Sequence, residues 1–237
     1  MKPPTRGALL LALIPSFLTA CGGPSSDEPY SVVVDPASFV TGVDNPYFPL
    51  TPGTTLIYEG LTADGSERIE DAVTRETKVI LGVRCVVVHN RVTLDGQLIE
   101  ETLDWYAQDA EGNVWYFGED TKEYEGGEVV STSGTWEAGV DGAQPGIIMQ
   151  ASPQIGQAYR QEYYNGEAED MAEVLSLTEA TTIGLDSFQE VWMMREWSAL
   201  DPSVVEHKYY ARGIGLILET VVEGGSGRIE LVARTTE

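Results

Sequence analysis

Two cysteines and two histidines bound the nucleophilic chemistry open to this chain: Cys21, Cys85, His89 and His207. Cys85 and His89 stand four apart, a spacing that brings side chains together on a helix. The segment Val83-Arg84-Cys85-Val86-Val87-Val88-His89 is a β run, however, and four residues of strand span roughly 13 Å. No Cys–His dyad is expected there, and Cys85 reads as a small buried apolar side chain. His207 lies far along the chain, and its place in space is not fixed by sequence. No Gly-x-Ser-x-Gly, His-Glu-x-x-His, phosphate-cradling loop or Ser-x-x-Lys occurs, and Gly225-Ser226-Gly227 sits in a turn. No catalytic residue is assigned on these grounds.

Metal chemistry is equally thin. Two histidines and one spare cysteine make no closed zinc site without carboxylates. Asp109-Ala110-Glu111-Gly112-Asn113 sets oxygens at alternate positions, as a calcium loop begins. Its glycine is fourth rather than sixth, and the segment is short enough to be a hairpin turn. No metal or cofactor is assigned. With 38 acidic residues, a pair of carboxylates at glycosidase spacing is always available, and Trp105, Trp115, Trp136, Trp192 and Trp197 could stack sugars. Such permissive features serve only as the alternative reading, a hydrolase working through paired carboxylates. The acidic cluster Glu167-Ala168-Glu169-Asp170-Met171-Ala172-Glu173 reads as a solvated strand edge that discourages edge pairing.

The elements that must hold these residues are strands. Runs rich in Val, Ile, Thr, Tyr and Trp are bounded by Asp64-Gly65, Asp95-Gly96, Glu111-Gly112-Asn113, Gly126-Gly127, Asn165-Gly166 and Gly224 to Gly227. These pairs supply the positive φ that tight hairpins need. The pattern predicts an all-β fold: one large antiparallel meander of roughly ten or more strands, curled like a half-barrel or folded into two layers, with little helix. The best helical candidate is a short turn near 146–151, between Pro145 and Pro153. In the hairpin over 97–118, Leu103, Trp105 and Ala107 face one way, and Asp104, Tyr106 and Gln108 the other. Aromatics on both faces predict a sheet covered on each side, or curled so that its concave side is lined as well. Trp105 and Trp115 are the candidate lining residues for a ligand.

The first twenty residues belong to targeting rather than to the fold. Lys2 and Arg6 precede an apolar run over Ala8 to Phe17, too short to span a bilayer, which takes roughly 20 helical residues. The run ends in Leu18-Thr19-Ala20-Cys21, the pattern of a bacterial lipobox. Cleavage between Ala20 and Cys21 and lipidation of the Cys21 sulfur (diacylglyceryl and palmitate-type chains) are expected. Residues 21–44 then form anchor, tether and lead-in, rich in Gly, Ser, Pro and Asp, and 45–237 form a single β domain. Without Asp at Gly22, the outer membrane is the expected destination if the host has one. Cys85 then has no disulfide partner. Removing Lys2 and Arg6 leaves 12 basic residues against 38 acidic, a net charge near −26. That surface repels nucleic acid, so membrane contact should come through the lipid.

Asn45-Pro46-Tyr47-Phe48-Pro49-Leu50-Thr51-Pro52-Gly53-Thr54-Thr55-Leu56-Ile57-Tyr58 resembles the opening strand of a family of uncharacterised bacterial lipoproteins, with Leu56 in place of an aromatic. Tyr209-Tyr210-Ala211-Arg212-Gly213-Ile214-Gly215-Leu216-Ile217 resembles their closing strand, with Arg212 in place of proline. Asp104 to Asp109 and Gly112 to Glu119 look like one family of unknown function in particular. The resemblance implies no activity. More loosely, it implies a likeness to half-barrel carriers of lipids and lipoproteins in the bacterial envelope, an analogy of fold alone. The resulting expectation is a non-catalytic envelope lipoprotein that binds an apolar or amphipathic ligand, or another envelope protein.

Overall fold

The computed structural model describes residues 30–236, so Ala20, Cys21 and the targeting segment lie outside the described residues. Fifteen strands follow one another: β1 (Thr54–Thr62), β2 (Ser66–Ile80), β3 (Val83–Leu94), β4 (Gln97–Gln108), β5 (Val114–Glu125), β6 (Glu128–Ser131), β7 (Trp136–Glu137), β8 (Gln144–Met149), β9 (Ala158–Arg160), β10 (Glu162–Tyr163), β11 (Asp170–Thr182), β12 (Ser187–Ser198), β13 (Val205–Ala211), β14 (Gly215–Glu223) and β15 (Gly227–Thr236). Helix among the described residues is confined to one 3-10 turn, Pro36–Ser38, whose Asp35 side chain accepts the Ala37 N–H.

All fifteen strands join one sheet: thirteen run in the order β10-β8-β5-β4-β3-β2-β1-β15-β14-β13-β12-β11-β9, and β6 and β7 each pair with β5 off this path. The pairings are antiparallel, as expected from the hairpin rhythm. Two runs of hairpins meet where β1 pairs β15, from Thr54↔Thr236 to Thr62↔Gly227. Register shifts interrupt several ladders, among them Val73/Thr77 and Asp104/Tyr106. Such bulges bend and twist a sheet, which is how this one curls. Residues 158–163 then bridge its two ends. β9 pairs β11 through Met171↔Arg160, and β10 pairs β8 through Glu162↔Pro145. The result is a nearly closed barrel.

The expected helix at 146–151 is corrected by β8. Gly146, Ile147 and Met149 pair with Tyr116, Trp115 and Val114 on one side, while Pro145 pairs Glu162 on the other. A Cβ on Gly146 would stand 2.3 Å from the Gln161 carbonyl carbon, so glycine is needed for this close approach rather than for a helix. The acidic cluster at 167–173 is likewise no open edge. Met171 to Glu173 are flanked by β9 and β12, and Glu169 and Glu173 take Arg160 (3.6 Å) and Arg195 (3.9 Å).

Both faces of the β3–β5 region are covered, as the aromatic pattern suggested. Outside, Cys85, Val87, Trp105, Ala107 and Phe117 form a core with Ala138, Ala143, Val34 and Phe39. Phe39 meets Trp115 and Phe117 edge-on, at 6.2 and 5.5 Å. Inside, Val73, Val86, Val88, Val114, Met149, Val174 and Met194 pack with Tyr47 and Tyr210.

Candidate functional site

The two terminal motifs of the sequence meet at one place. After Val43 the chain folds into a plug: the Leu50 N–H donates to the Val43 carbonyl, and the Tyr47 N–H to Asn45 Oδ1. Tyr47 stacks on Trp192 at 3.6 Å, and Phe48 meets Tyr106 edge-on at 5.3 Å. The Gly213 N–H, in the turn between β13 and β14, donates to the Pro46 carbonyl at 2.6 Å. The segment read as one opening strand is thus a plug over 43–53 followed by β1.

Beneath this plug the barrel holds a cavity of about 250 Å³. Its walls come from both halves of the sheet. Phe48, Pro49, Leu50, Leu56, Val73, Val88, Ile148, Ile214 and Leu216 supply its apolar lining. Asp71, Asn90, Thr102, Asp104, Glu196, Lys208 and three tyrosines, Tyr58, Tyr106 and Tyr210, supply a polar side interleaved with it, Asp71 opposite Leu56 and Asp104 opposite Val88. Strand alternation places them there, since Thr102, Asp104 and Tyr106 share the inward face of β4.

The polar side divides into two groups. In one, Lys208 Nζ lies 3.1, 3.5 and 3.6 Å from carboxylate oxygens of Glu196, Glu219 and Glu206. Burial works against the Lys208 charge, yet these three carboxylates outweigh it and hold the ammonium well above its ordinary range. The Tyr210 hydroxyl donates to Glu196 at 3.1 Å. In the other group, Asn90 Nδ2 donates to Asp71 at 2.6 Å and the Tyr116 hydroxyl donates to Asp104 at 2.7 Å. Burial pushes Asp71 up to about 6, against the pull of Asn90 and Lys208. Asp104, 9% exposed, is raised well above the carboxylate range by burial and then by Glu119, its cross-strand neighbour. Burial pushes Glu119 itself up to about 7. Beyond it, the Trp136 indole donates to Glu162 at 3.0 Å, and burial with Asp170 and Glu119 raises Glu162 to about 9.

Neither a family model nor a curated protein matches the chain. Two solved structures resemble it. One, from Bacteroides fragilis, is described as an exported protein with a YmcC-like fold; it is 14% identical, covers 80% of this chain and 99% of its own, and gives a TM-score of 0.47. The other, described as a lipoprotein from Parabacteroides distasonis, is 12% identical, covers 81% and 99%, and gives 0.43. The chain is assigned to no family. At such identities and TM-scores neither likeness assigns a function.

Trp105 and Trp115 do not line the cavity. They share the opposite face, where Trp105 is buried in the outer core beneath the Lys78 ammonium, 3.2 Å from its ring centre. The residues that do line it, Asp104 and Tyr106, are the alternate positions of the same strand. Cys85 is fully buried in that outer core, and burial pushes its thiol up to about 12. His89 meets Glu101 at 2.9 Å rather than a cysteine. Burial, with Arg195 nearby, holds His207 below its ordinary range. The turn at 109–113 offers a cation little: Asp109 accepts N–H bonds from Glu111, Asn113 (backbone and side chain) and Trp115, at 2.8–3.0 Å. This is a hairpin turn closed by its own aspartate. Sequence reasoning missed Asp71, Asp104, Lys208 and Tyr210. A signal for the cavity itself lay in the two motifs, which supply Phe48, Leu50, Thr54, Leu56, Tyr58, Tyr210, Ile214 and Leu216 to it, but of the missed residues they contain only Tyr210.

Proposed function

We propose that this chain is an exported lipoprotein, held to the envelope by lipid on Cys21, whose barrel binds a small amphipathic ligand without transforming it. The observation that supports it is the cavity, whose lining combines apolar side chains with acidic, amide and hydroxyl groups. Its volume sits just below the roughly 300–1,000 Å³ usual for ligand sites, which suits a head group and a short apolar segment. The carboxyls here are engaged in a network with Asn90, Tyr116, Tyr210 and Lys208 rather than standing as a free acid and base. A neutral fluorescent probe, N-phenyl-1-naphthylamine, should bind the mature chain carrying Cys21→Ser saturably and be displaced by short-chain alcohols. Absence of saturable binding would leave a protein-interaction module as the better account.

A second reading, a hydrolase working through paired carboxylates, draws on Asp104 and Glu119, cross-strand neighbours whose carboxyls burial raises. Turnover of chromogenic glycosides that disappears in Glu119→Gln would favour it over binding.

A further inference from the structure

We infer that the cavity selects an amphiphile with a cationic head, an alkylammonium, seated between Asp71 and Asp104 with its apolar part under Phe48 and Leu50. This rests on the binding reading above and names the class of ligand.

The first ground is charge. Asp71, Asp104 and Glu196 face the cavity together with a single basic side chain, Lys208. That ammonium is already surrounded by Glu196, Glu206 and Glu219, so it offers no unopposed positive charge to an anionic head. A carboxylate ligand would find no free cation there and, once Asp71 ionises, a like charge at close quarters. Asp71 and Asp104 form no ion pair among the described residues, and each receives a neutral donor, from Asn90 and Tyr116. Their raised carboxyls fit acids buried without a counter-cation, the state that an incoming ammonium would relieve.

The second ground is independent of charge. Thr54, 4% exposed and on the cavity wall, has a buried hydroxyl with no hydrogen-bond partner. Native interiors seldom leave such a group unsatisfied, which marks this cavity as a place for a polar ligand atom. The third is the mixed lining. Phe48, Pro49 and Leu50 come from the plug, Ile214 from the β13–β14 turn and Leu216 from β14, while Leu56 and Val88 are the cross-strand neighbours of Asp71 and Asp104. Each acid thus has apolar lining beside it for the ligand's alkyl part.

Calorimetric titration of the mature chain carrying Cys21→Ser with octylamine, octanol and octanoate tests this, since the three share one tail. Octylamine should bind about tenfold or more tightly than octanol, with octanoate weakest. In Asp71→Asn/Asp104→Asn, and in each single variant should the double fail to fold, the preference for the amine should shrink while octanol affinity is kept. Octanol or octanoate matching or exceeding octylamine overturns the cationic head and leaves the binding reading standing. No saturable heat from any of the three overturns both.

Discussion

Lys208 holds together acidic groups from three strands, Glu196 on β12, Glu206 on its own β13 and Glu219 on β14. Removing one partner of a buried ion pair leaves charge uncompensated, at a cost of about 3–5 kcal/mol. Lys208→Met should therefore lower stability by about 3 kcal/mol at pH 8, read from the urea midpoint. The loss should be smaller at pH 5, where Glu219, raised by burial, can take a proton instead. At this scale the sequence was half legible. The alternation of Asp104 and Tyr106 against Trp105 could be read directly, but not which face turned inward, because both carry aromatics. A one-residue change of face exchanges the whole lining. Acids scattered over positions 71, 104, 196 and 219 look like any others in a chain with 38 of them.

Turns and strands were the most legible elements. Asp95-Gly96 makes the expected two-residue hairpin loop, with φ of 48° and 80°. Leu81-Gly82 makes another, with φ of 48° and 82°, which escaped notice because leucine rarely adopts the left-handed region. β8 was misread because prolines at 145 and 153 bracket the segment 146–151 as they would a helix, although Pro145 is itself part of the strand, and because its partners β5 and β10 are distant or too short to announce themselves. Gly146→Val tests its role. The new side chain would drive into the Gln161–Glu162 backbone, and overpacking of this kind costs about 1–3 kcal/mol. The loss should appear as faster hydrogen exchange at the Gln161 N–H, which donates to Asp170 across the barrel seam. Unchanged exchange there would mean that the seam does not depend on this contact.

The molecule as a whole carries protons into its interior. Asp71 rises from 3.8 to about 6 and Glu119 from 4.5 to about 7 on folding. The folded state thus binds more protons than the unfolded one between about pH 4 and 7, so the stabilisation is complete below that window and fades as pH rises through it. Each pKa unit corresponds to about 1.4 kcal/mol, and the fall between pH 5 and 8 should amount to a few kcal/mol. Thermal melts in a constant-ionic-strength series check the sign; a rise in Tm toward pH 8 would contradict it. The address is tested apart from the body. Cys21→Ser should give unprocessed or soluble protein in a membrane fractionation, and mature mutant in the membrane fraction would remove the lipobox assignment. The pairing of β1 with β15 has a kinetic consequence. The first strand made must wait for the last, so the two runs of hairpins can form early but the wall between them cannot. Contacts so distant along the chain slow folding, and until β15 arrives β1 keeps one bare edge, open to pairing with another chain.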